Sequence, residues 1–123
     1  MPDCPGQVAV PNLLTMDYSA ITDAGMESVA GLTGLTDLFL NGTQITNAGM
    51  VHLKRLGRLK RLSLEQTVID DKGIGELKQL KCLEELRLRE TFVTDDGANE
   101  LEKALPAIKI TRSSRPIFIL ARP

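Results

Sequence analysis

The stretch LTDLFLNGTQITNAG at residues 35–49 decides the fold, because it recurs twice further along the chain. Residues 59–73 read LKRLSLEQTVIDDKG and residues 83–97 read LEELRLRETFVTDDG, so each copy begins 24 residues after the one before it. A degenerate first copy is recognisable one period earlier from six matching positions, Leu14, Met16, Ser19, Ile21, Gly25 and Val29. A fixed period of this length predicts a solenoid, in which short units stack on one another.

Each copy joins a strand pattern to a helix pattern. In Leu62-Ser63-Leu64 the apolar residues alternate with another residue, which is the period of a half-buried strand. Apolar residues then follow at helical spacing and predict one stripe packed against the sheet. The members of this stripe are Met26, Val29 and Leu32, then Met50, Leu53 and Leu56, then Ile74, Leu77 and Leu80.

Two polar columns accompany these elements. Threonine recurs at 43, 67 and 91, with Ser19 one period earlier, and we expect these hydroxyls to turn inward and bond backbone groups where the chain leaves each strand. Thr22, Thr46, Asp70 and Thr94 stand where a side-chain oxygen can cap a helix. The residues just inside these caps, Asp23, Asn47, Asp71 and Asp95, suit a helix N-terminus, which favours them as structural groups rather than catalytic carboxylates.

The pattern LxxLxLxxTx[IV][TD][DN]xG over roughly residues 11–105 resembles the leucine-rich-repeat family. Its ITDxG-like segments resemble the variant of many bacterial repeat proteins and of F-box-associated substrate receptors. The resemblance implies an α/β solenoid with a parallel β-sheet on the concave face, short helices on the convex face, about four repeats and terminal caps. We expect a single domain over 1–123, with an N-terminal cap at 1–10, four repeats at 11–106, and a C-terminal partial repeat and tail at 107–123.

Composition narrows the functional classes. The 123 residues include 42% hydrophobic residues, and 15 Lys plus Arg stand against 16 Asp plus Glu, so no global field attracts nucleic acid or anionic membrane, and neither partner is expected. No stretch approaches the ~20 apolar residues of a membrane helix, and the first ten residues lack a signal-peptide pattern. Cys4 and Cys82 do not form a disulfide-rich pattern, which favours free thiols and a cytoplasmic location.

The inventory of reactive groups is small. His52 is the sole histidine, Cys82 beside Lys81 has no apparent partner base, and Gly73-Ile74-Gly75 lacks the remainder of a dinucleotide or P-loop motif. We therefore predict no enzymatic activity, no metal site and no cofactor. The resemblance instead implies protein recognition, and the partner's identity is left open.

The predicted concave face supplies the candidate partner-binding residues: Phe39, Asn41, Arg61, Ser63, Glu65, Glu85, Arg87 and Arg89. Phe39 beside Arg87 and Arg89 has the composition of an interface hot spot, and the loop residues Tyr18, Val68 and Phe92 can extend the patch. The alternative is structural, because the column Asp37, Arg61, Glu85 and Lys109 alternates in sign and can pair with itself. Likewise, the cluster Lys54, Arg55, Arg58, Lys60 and Arg61 is interpreted as a solvated face.

The end of the chain offers a second functional hypothesis. Ile108 and Ile110 begin a fifth strand, but Arg112 stands where the earlier repeats have leucine. The apolar run 117–120 follows and either caps the last repeat or docks on another chain. A structural or self-associating solenoid, or a repeat fragment of a larger protein, joined through its ends, is therefore the alternative to a recognition module.

Overall fold

The computed structural model describes residues 12–112, which form alternating strands and short helices. The strands are β1 (Leu13–Thr15), β2 (Asp37–Phe39), β3 (Arg61–Ser63), β4 (Glu85–Arg87) and β5 (Lys109–Thr111). The helices between them are α1 (Asp23–Val29), α2 (Asn47–Met50), α3 (Asp71–Gly75) and α4 (Asp95–Ala104). α2 and α3 run on as 3₁₀ turns at Val51–Arg55 and Glu76–Gln79.

All five strands lie in one parallel sheet in chain order. The register joins Leu14 to Leu38, Leu38 to Leu62, Leu62 to Leu86, and Leu86 to Ile110, so each residue pairs with the residue 24 positions further on. The helices pack on their neighbours in the same order. The predicted leucine-rich-repeat solenoid is confirmed, and the predicted fifth strand forms at Lys109–Thr111, so that it contains Ile110 and begins one residue after Ile108.

The core lies between the sheet and the helices. The strand leucines Leu38, Leu62 and Leu86 are buried, and the helix residues Met50 and Ile74 pack against the same cluster. The predicted apolar stripe holds with one exception. Leu32 is 50% exposed, whereas its equivalents Leu56 and Leu80 are buried. Leu32 belongs to the first repeat, beyond the end of α1, and no earlier repeat stands against it in the described part of the chain.

The threonine column turns inward as predicted. Thr43, Thr67 and Thr91 are each at most 6% exposed, and their hydroxyls donate to the carbonyls of Leu40, Leu64 and Leu88 at 2.8, 2.7 and 2.8 Å. Each bond satisfies a carbonyl where the chain leaves its strand, which is the local requirement that selects threonine. Ser19 differs, because its buried hydroxyl oxygen has no hydrogen-bond partner among the described residues.

The residues just inside the helix caps connect successive repeats, which the helix-terminus interpretation did not anticipate. Asp23 accepts a 2.7 Å bond from the backbone N–H of Thr46 and another from its hydroxyl. Asp71 accepts equivalent bonds from Thr94, at 2.8 and 2.6 Å. At the four predicted cap positions, side-chain capping bonds form at Thr46, Asp70 and Thr94 but not at Thr22.

One repeat pair exchanges donor for acceptor. Asp70 stands where the neighbouring repeats have threonine, and a carboxylate has no proton to donate. The residue facing it is Asn47, whose amide nitrogen donates to Asp70 Oδ1 at 2.7 Å and whose oxygen accepts from the Asp70 backbone N–H at 3.2 Å. A threonine cap is thus matched to a facing aspartate, and an aspartate cap to a facing asparagine.

The side chains that bond from one repeat to the next explain why glycine recurs at 49, 73 and 97. A Cβ at Gly49 would overlap Oδ1 of Asp23, one at Gly73 would overlap Oδ1 of Asn47, and one at Gly97 would overlap Oδ1 of Asp71. The side chain that crosses from the preceding repeat therefore occupies the space that a larger residue needs.

Arg112 ends the repeat pattern. Its guanidinium pairs with Asp95, the last of the four residues just inside the helix caps, and Nη1 donates to the Val93 carbonyl at 3.4 Å. A polar contact thus replaces the apolar packing of the leucine expected at this place. The predicted N-terminal cover at 1–10 and the apolar run 117–120 lie outside the described residues.

Cys82 is 2% exposed and takes part in a disulfide, so the expected free thiol is wrong at this residue. Cys4 lies outside the described residues. Across residues 12–112, none of the helices has both the length and the apolar character that crossing a bilayer requires.

Candidate recognition surface

The strands bring the predicted concave residues into adjacent columns. Phe39, Ser63 and Arg87 are direct neighbours across β2, β3 and β4, and Arg61 pairs in register with Glu85. Arg61, Arg87 and Arg89 are exposed. The other candidates are half-buried, apart from Ser63: Phe39, Asn41, Glu65 and Glu85.

Ser63, one of the candidates on the concave face, is buried. Its side chain is 2% exposed, and its hydroxyl donates to Oδ1 of Asn41 at 2.6 Å. Ser63 stands between Phe39 and Arg87, which line one cavity of about 20 Å³, so a short side chain lies between two long ones. Asn41 Oδ1 also accepts from the backbone N–H of Glu65 at 2.8 Å, so Asn41 holds two strands together.

In the charged column Asp37, Arg61, Glu85 and Lys109, the first three residues form ion pairs with one another. Asp37 is 6% exposed, accepts from Thr36 at 2.8 Å and from Arg61 Nη1 at 2.9 Å, and therefore is a structural group. The hydrogen bond and charge of Asp37 raise the pKa of Arg61. Glu85 lies 3.8 Å from Arg61 Nε and 3.0 Å from Arg87 Nε, so it turns partly along its own strand.

The last strands surround a charged cavity of about 260 Å³ on this face. Its lining consists of Glu65, Glu85, Arg87, Arg89, Lys109 and Thr111. Arg89 Nε is 4.0 Å from Glu65, and within residues 12–112 Lys109 has no carboxylate within ion-pair distance. Three cationic side chains therefore meet two carboxylates, and four of the eight predicted candidates share one concavity.

A column of left-handed residues follows the strands and escaped the sequence-based reasoning. Tyr18, Gly42, Gln66 and Glu90 have φ angles of 59°, 67°, 61° and 59°. Tyr18 is 71% exposed, and its hydroxyl donates to Gln66 Oε1 at 2.8 Å, while Gln66 Nε2 donates to Glu90 Oε1 at 2.8 Å. The glycine at 42 and the 24-residue spacing were the available signal, because glycine is the residue that favours positive φ.

Exposed apolar side chains border this loop column. Val68 is 55% exposed and Phe92, one period later, is 37% exposed. Phe92 is also held by its backbone, since its N–H donates to the Ile69 carbonyl at 2.9 Å. These residues and Tyr18 lie on the loops that leave the sheet, as the repeat pattern predicts.

The basic cluster carries counter-charges. Lys54 Nζ lies 2.9 Å from Glu76, Lys60 Nζ lies 3.9 Å from Glu84, and Arg61 pairs with Asp37. His52 is half-buried in the 3₁₀ turn after α2. Over residues 12–112, no three of His, Cys, Asp and Glu are grouped so that they could hold a metal ion.

Solved structures share this architecture. A chain of the Chaetomium Mex67:Mtr2 structure is similar with a TM-score of 0.61 and 20% identity, covering 89% of this chain and 85% of that chain. The Leiomodin-1 Actin-Binding Site 2 structure has a TM-score of 0.61 and 20% identity, with 82% and 69% covered. Internalin InlF from Listeria monocytogenes has a TM-score of 0.56 and 21% identity, with 85% and 35% covered.

No protein-family model and no curated protein sequence matches the chain. At about one-fifth identity, the structural matches establish the fold, and the repeat register agrees with them. The chain has the fold of a leucine-rich-repeat solenoid.

Proposed function

We propose that this protein is a non-catalytic recognition module that binds a protein partner through its concave sheet and adjoining loops. The observation that carries the proposal is the charged cavity, which Arg87, Arg89 and Lys109 line together with Glu65 and Glu85. Arginine is enriched among the residues that dominate binding energy at interfaces. Because cations exceed carboxylates there by one, a partner with an exposed Asp or Glu suits the cavity best.

Phe39 and the loop residues supply the apolar part of the proposed interface. Phe39 lines the small cavity beside Arg87, and Tyr18, Val68 and Phe92 are exposed on the adjoining loops. A mixed surface of aromatic and arginine side chains is typical of protein interfaces. One structural neighbour is described as an actin-binding site, which is a protein-binding role for a solenoid of this kind.

The test is affinity capture from lysate of the source cell, with bound proteins identified by mass spectrometry. The bait is the native chain, compared with Phe39→Ala/Arg87→Glu and with the matched charge reversal Arg58→Glu at an exposed residue of the turn before β3. Circular dichroism and urea unfolding first establish that all three baits fold. We expect a partner that is retained by the native chain and Arg58→Glu but lost with the concave-face variant. Identical lists from all three baits contradict concave-face recognition.

Self-association through the ends is the second candidate function. Leu13 on β1 is 55% exposed, and within residues 12–112 no further strand lies beside β1, so this strand edge can pair with another chain. Sedimentation velocity of the full chain, of Leu13→Arg and of a chain ending at Arg115 tests it. A concentration-dependent oligomer that either change removes supports self-association, and a monomer throughout rejects it.

A further inference from the structure

A groove on the convex face, opposite the proposed interface, lies between α3 and α4. Its volume is about 220 Å³, and its floor is formed by the buried side chains of Ile74 and Leu101. Gly75 and Gly97 leave its walls without side chains. Four charged residues stand around it: Asp71, Lys78, Asp96 and Glu100.

The preceding repeat is built differently at the same place. Val51, 45% exposed, occupies the position of Gly75, and Lys54 Nζ forms a 2.9 Å ion pair with Glu76 across the helices. The equivalents of this pair are Lys78 and Glu100, and in the described part of the chain these two side chains do not form an ion pair with each other. Glu100 instead lies 3.6 Å from Lys103 on its own helix. The groove thus lacks both the side chain and the ion pair of its counterpart.

Packing does not require a glycine at 75. A Cβ placed there would meet no atom within 4 Å, and the backbone has ordinary helical angles, φ −59° and ψ −28°. Gly73 and Gly97, by contrast, are required by the side chains that cross from the preceding repeat. Glycine in a helix is less stable than alanine, so position 75 gives up helix stability and leaves the groove open.

The charge beside the groove is also reversed. Asp96 stands where the preceding repeat has Lys72, and in the described region no cation pairs with it. Asp96 and Glu100 are four residues apart on α4, so two like charges face the same side, which destabilises a helix. The N-terminus of α4 accounts for Asp96, but Glu100 is beyond the first turn. A cation bound beside both carboxylates relieves their repulsion.

We propose that this groove binds one basic side chain, Arg or Lys, from a protein partner. The apolar floor of Ile74 and Leu101 suits the aliphatic stem, and the carboxylates of Asp96 and Glu100 suit the charged head. The volume is below the roughly 300 Å³ of pockets for drug-sized ligands, so a single side chain matches it better than a larger molecule. The chain then has two recognition surfaces of opposite preference, one on each face.

The test is an NMR titration of the full ¹⁵N-labelled chain with three capped tripeptides, carrying arginine, leucine or glutamate between two alanines. The backbone amides of Gly75, Gly97 and Asp96 report on the groove. We expect the arginine peptide to shift these amides with a millimolar Kd, in keeping with its small size. The leucine and glutamate peptides should shift them at least about tenfold more weakly.

Two variants copy the preceding repeat and therefore suit the fold. Gly75→Val introduces the side chain that the preceding repeat has at Val51, and Asp96→Lys introduces the charge that it has at Lys72. Each should weaken binding of the arginine peptide roughly tenfold while the rest of the spectrum is preserved. Equal shifts with the leucine peptide, undiminished binding in both variants, or no shift at tens of millimolar peptide each overturn the proposal.

Discussion

The hydroxyl of Tyr18 donates a 2.8 Å hydrogen bond to Oε1 of Gln66, two repeats further along the chain. The ring reaches that far because it lies over Gly42, where a Cβ would overlap ring atoms Cδ1 and Cε1. Gln66 in turn donates to Glu90, so the two bonds connect the loops of the first, third and fourth repeats, and the Tyr18 ring lies over Gly42 in the loop of the second. Tyr18, Gly42, Gln66 and Glu90 stand at equivalent positions of their repeats, and all four have a left-handed backbone.

Gly42→Ala should therefore destabilise the protein for two separable reasons. A left-handed alanine costs about 1 kcal/mol, and its methyl group also displaces the Tyr18 ring. In a Tyr18→Ala background only the backbone cost remains. Urea unfolding of the two single variants and the double variant should give a coupling of about 0.5 kcal/mol or more. Additive changes within error would show that the ring does not depend on Gly42.

The hydrogen bond between Asn47 and Asp70 predicts how the chain responds when donor and acceptor are exchanged. Asn47→Asp places two carboxylates where one amide hydrogen bond of 2.7 Å stood, and should cost about 1–3 kcal/mol at pH 7. Adding Asp70→Thr restores a donor for the new carboxylate, as Thr46 provides for Asp23 and Thr94 for Asp71. The double variant should recover most of the lost stability.

The measurement is urea unfolding of the native chain, the single variant and the double variant at pH 7. A double variant no more stable than Asn47→Asp would refute the donor and acceptor matching.

The sequence predicts the repeated elements well because the residue type and the spacing at single positions are enough to predict burial and register. Leu62 and Leu86 recur in register, and the burial of Thr67 follows from its place after a strand. The column of Asp71 was identified, but its partner was not, because an oxygen at that position can bond its own helix or the next repeat. Which of these two bonds forms depends on the spacing between stacked helices, and the amino-acid sequence does not specify that spacing.

The candidate site was less predictable for a related reason. Alternation places Ser63 on the concave face, but its exposure depends on the size of the side chains on both neighbouring strands. Phe39 and Arg87 stand on either side of it, and the hydroxyl bonds Asn41. Lys109 and Thr111 join the charged cavity only because β5 continues the register of β4.

The threonine column predicts a measurable contribution from a single hydroxyl. Thr67→Val preserves the shape but removes the 2.7 Å bond to the Leu64 carbonyl in a buried setting, so it should cost about 1 kcal/mol. The exposed Thr33 provides a matched control, for which Thr33→Val should stay within about 0.5 kcal/mol of the native chain. Urea unfolding curves of both variants decide it, and equal midpoints would contradict a structural role for the column.

Gly73 and Gly75 should respond in opposite directions to the same substitution. Gly73→Ala places a methyl group on Asn47 Oδ1 and 2.9 Å from Ile69 Cγ2, so it should destabilise the chain by about 1–3 kcal/mol. Gly75→Ala has open space and helical backbone angles, so it should stabilise by about 0.5–1 kcal/mol. Thermal and urea unfolding of the two variants provide the comparison. A Gly73→Ala variant as stable as the native chain would show that the crossing Asn47 side chain does not set the glycine at 73, and a destabilised Gly75→Ala would show that position 75 is not free to accept a side chain.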